Sequence, residues 1–491
     1  MTRVALITMF VMTFAAALPA EINSQAAAKL RAVRRQGQSG AQRNRPNIVF
    51  ILADDLGRAD VGFNGGKEIK TPNIDKLAAS GARLEQFYAQ PVCSPTRAAL
   101  MTGRYPMRHG LQVGVIRPWA QYGLPLDERT LPQALREAGY ATAIVGKWHL
   151  GHFERAYLPT ARGFDHQYGH YNGAIDYFRH DREGGHDWHR DDRASYDEGY
   201  STHLLAEDAV KFINENAGRK PFFLYAPFNA VHAPHQTPEK YKEAYATLPE
   251  PRRTYAGMLA AMDEAVGRII AAIDEKGLRR DTIIIFSSDN GGPEPGRVTD
   301  NGPFRAGKTT LYEGGVRVAA CVAWESRIKP GSRVDQPLHM VDWYPTLLRL
   351  AGASLKQKLP LDGRDAWGAI AEGKASPHAE ILLNATPNTG AIRVGDWKLV
   401  LNGKVHADEN DGELSPSGAG LASVELFNLA DDPYEKKNLA ESNHDKVKEL
   451  RARYDRLAAQ AVPPKIKRRA ADFKSPKIWG EPAPTPAKSL R

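Results

Sequence analysis

Cysteine is scarce in this chain: Cys93 and Cys321 are the only two among 491 residues. They allow at most one disulfide. Cys321 lies in GGVRVAACVAWE, which reads as a buried strand where a free thiol serves as a small apolar side chain. Cys93 lies in PVCSPTRAALMTGRYP, between two prolines and four residues before Arg97. A Cys93–Cys321 bridge is one use of the pair; the stiff, basic surroundings of Cys93 point to another. Long apolar runs are also scarce. Beyond the N-terminus none is apolar enough to span a bilayer. The familiar nucleophile and nucleotide signatures are missing, with no G-x-S-x-G, no P-loop and no Rossmann glycine fingerprint. No nucleic-acid motif is present and the positive charge is not interleaved with aromatics on one element, so no nucleic-acid partner is expected. There is no internal repeat.

What is present is the composition of a soluble globular enzyme, 42% hydrophobic and 25% charged, long enough for a large domain with a smaller partner. A net charge of +9 suits polyanionic partners without naming one. Residues 1–20, MTRVALITMFVMTFAAALPA, carry Arg3, an apolar run from Val4 and small residues from Ala15 to Ala20. They read as a secretory signal peptide, which implies an exported protein, periplasmic or secreted, with no stable membrane span after cleavage. Residues 21–45 read as a flexible linker. A catalytic domain is expected over 46–375, a C-terminal α+β subdomain over 376–462, and a basic Pro-rich tail over 463–491, either against the surface or disordered.

Four segments repeat one theme. PNIVFILADDLG reads as a buried strand ending in Asp54 and Asp55. TLPQALREAGYATAIVGKWHLG reads as a helix capped by Thr130, then a strand ending in Lys147 and His149. DAVKFINENAGRKPFFLYAPFNAVHAPH ends in His232 and His235, and the helix–strand segment from Arg252 ends in Asp289 and Asn290. This alternation predicts an α/β fold with a largely parallel sheet, whose ligand site lies beyond the carboxyl ends of the strands. After about residue 375, GAIRVGDWKLVLNG and VELFNLADDPYEKKNLA read as an antiparallel sheet, closed by an amphipathic helix in HDKVKELRARYDRLAAQAV.

Asp54, Asp55, Asp289 and Asn290 form an oxygen-only ligand set, suited to calcium or magnesium rather than zinc. Arg97, Lys147 and Lys308 supply positive charge, and His149 and His232 can pass protons. A divalent cation among cations suits an anionic ester, a sulfate or a phosphate. Cys93 is left as the candidate nucleophile. His235 reads as structural or as a subsite residue. The histidines between His166 and His189 read as a solvated or substrate-facing loop rather than a metal site.

CSPTRAALMTGR, followed through the chain by GKWHLG, VHAPH, SSDNGG and GKTTLYEGGVR and preceded by ADDLG, resembles the type I sulfatases of the alkaline-phosphatase-like superfamily, from about Pro46 to about Leu439. YGLPLDERTLPQALREAGY, LPTARGFDHQYGHYNGAIDYFRH, YAGMLAAMDEAVG and PLDGRDAW look like the arylsulfatase B branch, the N-acetylgalactosamine-4-sulfatases. HDREGGHDWHRDDRASYDEGY and NGPFRAGKTTLYEGG depart from that branch, in loops that could line the substrate subsites. The resemblance implies an alkaline-phosphatase-like mixed sheet flanked by helices, with a smaller C-terminal domain built on an antiparallel sheet and a helix.

It also implies sulfate-ester hydrolysis by a formylglycine that a formylglycine-generating enzyme makes from Cys93. Ca2+ would be bound by Asp54, Asp55, Asp289, Asn290 and modified Cys93. One hydroxyl of the aldehyde hydrate would attack sulfur, with Asp289 as base. His232, with Lys308, would protonate or stabilise the departing oxygen and leave a sulfated enzyme. His149 would deprotonate the second hydroxyl and expel sulfate, while Arg97 and Lys147 hold the hydrate and the metal shell. The implied substrates are aryl sulfates or sulfated carbohydrate, such as 4-sulfated galactosamine or galactose. A phosphodiesterase or phosphonate monoester hydrolase of the same superfamily is the alternative. A glycan-binding pseudoenzyme is a third reading, against which no metal-binding or cationic residue is missing.

Overall fold

The computed structural model describes residues 45–386, 389–405 and 423–481. The signal peptide expected over residues 1–20 lies outside the described residues, as does nearly all of the expected linker and the last stretch of the tail. From Pro46 onward the chain packs as one compact unit. Among the described residues no helix is long and apolar enough to cross a membrane.

The centre is a ten-stranded mixed sheet. Its strands are β1 (Asn47–Ala53), β2 (Ala82–Leu84), β3 (Ala141–Lys147), β4 (His166–His170), β5 (His189–Arg190), β6 (Arg193–Ala194), β7 (Phe222–Pro227), β8 (Thr282–Ser288), β9 (Ala320–Ala323) and β10 (Ser332–Val334). The order is β10-β2-β9-β8-β1-β7-β3-β4-β5-β6. The middle strands β8, β1, β7, β3 and β4 are all parallel. Four of them, β8, β1, β7 and β3, are the near-continuous apolar runs of the sequence, as expected of strands covered on both faces, whereas β4 is the polar HQYGH. In β1, Val49 and Ile51 enter one core while Ile48, Phe50 and Leu52 enter the other.

Helices cover both faces. They include α1 (Pro72–Ala79), α2 (Cys93–Thr102), α3 (Leu131–Glu137), α4 (Ser201–Asn216), α5 (Arg252–Glu275) and α6 (Trp343–Leu350). The capping expected of Thr130 is present and reciprocal: its hydroxyl accepts from the Gln133 amide, and Gln133 Oε1 accepts from the Thr130 amide at 2.8 Å. The apolar stripe of α5 packs with that of α4 in the core that Val49 and Ile51 enter.

A second, antiparallel sheet follows: β11 (Ile381–Ala385), β12 (Gly390–Val394), β13 (Trp397–Leu401) and β14 (Val424–Asn428). Helix α7 (His444–Ala458) lays Leu450 and Tyr454 against Ile392, Leu399 and Leu426. The α/β fold with a smaller antiparallel C-terminal part is therefore as expected.

The histidines between His166 and His189 depart from the loop reading. His170, His180 and His189 are buried. His189 stacks on Tyr171 with ring centroids 4.1 Å apart, and His180 stacks on Trp188 at 4.5 Å. The cause is Asp187. Its buried carboxylate accepts the Tyr171 and Asn172 amides, each at 2.9 Å, and pairs with His189 at 3.3 Å, which ties the segment to the chain leaving β4.

Candidate active site

The register of the parallel strands brings the acids together. Ala53 of β1 lies opposite Ser288 of β8, so Asp54 and Asp289 leave the sheet side by side. The Asp289 amide donates to the Ala53 carbonyl at 3.1 Å, and the Asp55 amide to Asp289 Oδ1 at 3.3 Å. Asp55 has a φ of 63°, a left-handed conformation that a non-glycine residue adopts at a cost. The turn after β7 is tied to the same point, since the Asp54 amide donates to the Ala230 carbonyl and the Val231 amide to the Asp54 carbonyl. That tie carries His232 to the acids.

Helix α2 brings in the cysteine. Cys93 is its first residue, and all ten of its residues are buried. Pro95 stands in the first turn, where no intrahelical N–H is required. Arg97 follows one turn after Cys93 and so shares its face. Its Nε and Nη2 donate to Asp289 Oδ2 at 3.2 and 2.8 Å, and its Nη1 to the Lys147 carbonyl at 3.0 Å. Cys93 Sγ donates to Asp54 Oδ1 at 3.4 Å, and Lys147 Nζ pairs with Asp54 Oδ2. Ser94 was not singled out from sequence. Its hydroxyl donates to the His149 carbonyl at 2.9 Å and accepts the Ile116 amide at 3.0 Å, so it pins the histidine's loop to the cysteine's helix.

Lys308 approaches from the other side. Its Nζ donates to Asp55 Oδ2 at 2.8 Å and to His232 Nε2 at 3.2 Å, while His232 Nδ1 donates to the Ala233 carbonyl at 2.6 Å. The C-terminal sheet holds this loop in place through Val405 N to the Thr309 carbonyl and Leu311 N to the Gly403 carbonyl, both at 2.8 Å. His149, at φ 57°, donates Nε2–H to the Ile116 carbonyl at 3.0 Å. Its Nδ1 then carries the lone pair, and that atom is buried without a partner. His235 is not among the residues lining the cavity and stands edge-on to Tyr255.

The electrostatics follow from burial and charge. Burial opposes ionisation of Asp55, but the Lys308 ammonium and His232 outweigh it and hold the carboxyl well below the usual range. Burial and the Asp54 charge push Asp289 up to about 6. Burial, with Asp54 beside it, raises the Cys93 thiol far above its ordinary value, so the unmodified thiol is a poor nucleophile at neutral pH. Burial and Lys308 push His232 down to about 3, and burial with Lys147 holds His149 well below 6.5.

The donor set fits a hard cation. Three carboxylates, Asp54, Asp55 and Asp289, converge fully buried, and Asn290 Oδ1 beside them is buried without a partner. Ligand atoms of Asp54, Asp55, Cys93 and His232 all lie within 4.8 Å of one another. His232 thus joins a cluster that the sequence presented as oxygen alone. Every predicted site residue falls in this one region: Asp54, Asp55, Cys93, Arg97, Lys147, Asp289 and Asn290 within its buried network, and His149, His232 and Lys308 at its edge. Cys93, His149, His232 and Lys308 face a cavity of about 570 Å³. Cys321 is buried in β9 as a free thiol, as is Cys93, so no bridge joins them.

A family model described as Sulfatase matches residues 46–353. Arylsulfatase J of Mus musculus is 38% identical over 484 residues, covering 90% of this chain and 81% of that protein. N-acetylgalactosamine-6-sulfatase of Canis lupus familiaris is 35% identical over 391 residues, covering 74% and 72%. Among solved structures, Ps i-CgsB in complex with k-i-k-neocarrahexaose is similar at a TM-score of 0.77 and 33% identity, covering 86% of this chain and 94% of that one.

Proposed function

The chain belongs to the sulfatase family of sulfuric ester hydrolases, and we propose that its own substrates are sulfated carbohydrates such as 4-sulfated galactosamine or galactose. The observation that carries this reading is the meeting of buried Cys93 with three buried carboxylates and the cations Arg97, Lys147 and Lys308 beside a cavity that Cys93 and Lys308 line. The carbohydrate assignment is supported by the N-acetylgalactosamine-6-sulfatase relative and by the neocarrahexaose bound to the similar solved structure. The N-terminal sequence supports export to the periplasm or the medium.

Asp54, Asp55, Asp289 and Asn290, with residue 93, would hold a calcium ion, which supplies positive charge against the sulfate oxygens. Formylglycine made from Cys93 by a formylglycine-generating enzyme supplies, as its hydrate, two hydroxyls on one carbon: one to attack sulfur, one whose deprotonation expels sulfate. The chain's own residues do the rest. Arg97 fixes the Asp289 carboxylate against the Lys147 strand end. Lys147 neutralises Asp54. Asp289, fixed by Arg97, is the carboxylate placed to take the proton of the attacking hydroxyl. Lys308 Nζ donates to the Nε2 of neutral His232, which aims the ammonium that stabilises and protonates the departing alcohol oxygen. His149 stays neutral, with Nε2–H spent on the Ile116 carbonyl and Nδ1 left to accept the later proton.

The test is the mass of the proteolytic peptide carrying Cys93, from protein made with a formylglycine-generating enzyme, alongside hydrolysis of matched sulfate and phosphate esters. The expected result is an aldehyde in place of the thiol, sulfate preferred over phosphate, and turnover lost on calcium chelation. An unmodified thiol in protein that still hydrolyses esters would overturn the mechanism.

A further inference from the structure

We propose that the C-terminal strap, residues 463–481, is part of the substrate site, and that Arg469 binds a second anionic group on the sugar next to the one that loses its sulfate. The proposal rests on the sulfatase reading above and adds a subsite to it.

The strap is built onto the cleft at several points. At its start, the Val462 amide donates to the Met107 carbonyl at 2.9 Å and the Lys465 amide to the Gly110 carbonyl at 2.7 Å. In its middle, Trp119 Nε1 donates to the Lys467 carbonyl at 3.1 Å, and Phe473 packs edge-on against the Trp119 ring at 6.5 Å. At its end, Trp479 is 3% exposed. The Trp479 amide donates to the His186 carbonyl and its Nε1 to the Arg182 carbonyl, both at 2.9 Å. A segment held this way presents its side chains at fixed places rather than sampling solvent.

Arg469 is the side chain it presents to the cleft. It lines the same cavity as Cys93, His149, His232 and Lys308. Its guanidinium carbon lies 5.2 Å from the Phe473 ring centre and 5.6 Å from that of Trp119. Two aromatic faces therefore hold the planar fork without using its N–H donors. The nearest carboxylate oxygen, on Glu183, is 3.7 Å away, longer than a hydrogen bond, and 47% of the arginine side chain is exposed. Arg182 also lines the cavity, 3.8 Å from Glu183, so two arginines share one carboxylate here. The cavity of about 570 Å³ is in the range that encloses a ligand larger than one sugar ring. The cavity that would take the scissile sulfate at residue 93 thus also carries a preorganised cation. The matching ligand is a di- or oligosaccharide with a second anion, either a sulfate or a uronate carboxylate.

The test compares three disaccharides, carrying one sulfate, two sulfates, or one sulfate and a uronate carboxylate. The matured enzyme is expected to prefer a doubly anionic one in kcat/KM. Arg469→Ala should reduce that preference by about tenfold, the scale of one charge-assisted hydrogen bond at a half-exposed site, mostly through KM. Arg469→Lys should recover part of it, and whichever arm collapses names the second anion. Calorimetry on Cys93→Ala protein, with and without Arg469→Ala, should give the same ratio in Kd without turnover. If the matured enzyme hydrolyses sulfates but Arg469→Ala changes neither ratio, the subsite is overturned and the sulfatase reading stands. If it hydrolyses no sulfate ester at all, both fall together.

Discussion

Gly173→Ala isolates the role of His149 without touching it. A Cβ at position 173 would lie 2.4 Å from His149 Cε1 and 2.5 Å from Nε2, while the glycine's own backbone is in a region that alanine also adopts. The three nearest atoms to that Cβ all belong to the ring. Ordinary contact starts near 3.4 Å, so the imidazole must retreat by about 1 Å. It cannot do so freely, because it is buried and its Nε2–H is held by the Ile116 carbonyl. A misplacement of about 1 Å costs roughly a hundredfold in rate. The overpacking costs about 1–3 kcal/mol of stability, which leaves the protein folded at assay temperature.

The assay is release of a chromogenic phenol from an aryl sulfate, followed from the first milliseconds. His149 is assigned to the second half of the reaction. The variant should release one equivalent of phenol at close to the normal rate and then turn over about a hundredfold more slowly. A folded Gly173→Ala protein with kcat within twofold of the parent would refute the argument that ring position matters. A variant that lost the initial burst as well would place His149 in the first half instead.

Two further predictions concern the frame around the site. Burial opposes the charge on His166, but the Asp191 and Asp208 carboxylates outweigh it and raise its pKa to about 9. Its stabilising contribution is then full below about 6.5 and lost as pH rises through 9, so His166→Gln should lower Tm clearly at pH 6 and barely at pH 10; an equal drop at both would refute the charged pair. Lys398 is fully buried between Glu313 and Glu435, at 2.9 and 2.8 Å, and Lys398→Met should cost about 3–5 kcal/mol by leaving buried Glu435 without its cation and Glu313 with Arg317 alone. Glu435→Gln in that background should restore part of the loss, and a denaturation midpoint unchanged by Lys398→Met would remove the triad from the account.

Much of the site could be read from the chain because parallel strands report their own ends. An apolar run followed at once by Asp-Asp, Lys-x-His or Asp-Asn says which residues stand at the carboxyl edge, and adjacency in the sheet does the rest. The spacing of Cys93 and Arg97 became meaningful for a local reason, since one helical turn separates them. Ser94 stayed silent because nothing local marks it; its partners, Ile116 and His149, are brought to it only by the fold. The loop histidines were misread for a related reason. A polar, glycine-containing stretch looks solvated until one buried carboxylate, Asp187, gathers its backbone amides.

The C-terminal quarter shows where such reading stops. Its strands and closing helix follow from alternation and amphipathic spacing, but what they do for the site follows from long-range contacts. Lys398, on β13, is an unremarkable lysine in sequence. In the fold its ammonium meets Glu313, five residues after Lys308, while backbone bonds from Leu311 to Gly403 and from Val405 to Thr309 hold the same loop. Lys308 reaches Asp55 and His232 from a loop that the second sheet clamps. A defect in the C-terminal sheet should therefore register in the chemistry. Lys398→Met should lower kcat even at temperatures where the protein stays folded, because it loosens the loop that aims Lys308, whereas an equally destabilising change on the far face of α7 should leave kcat alone.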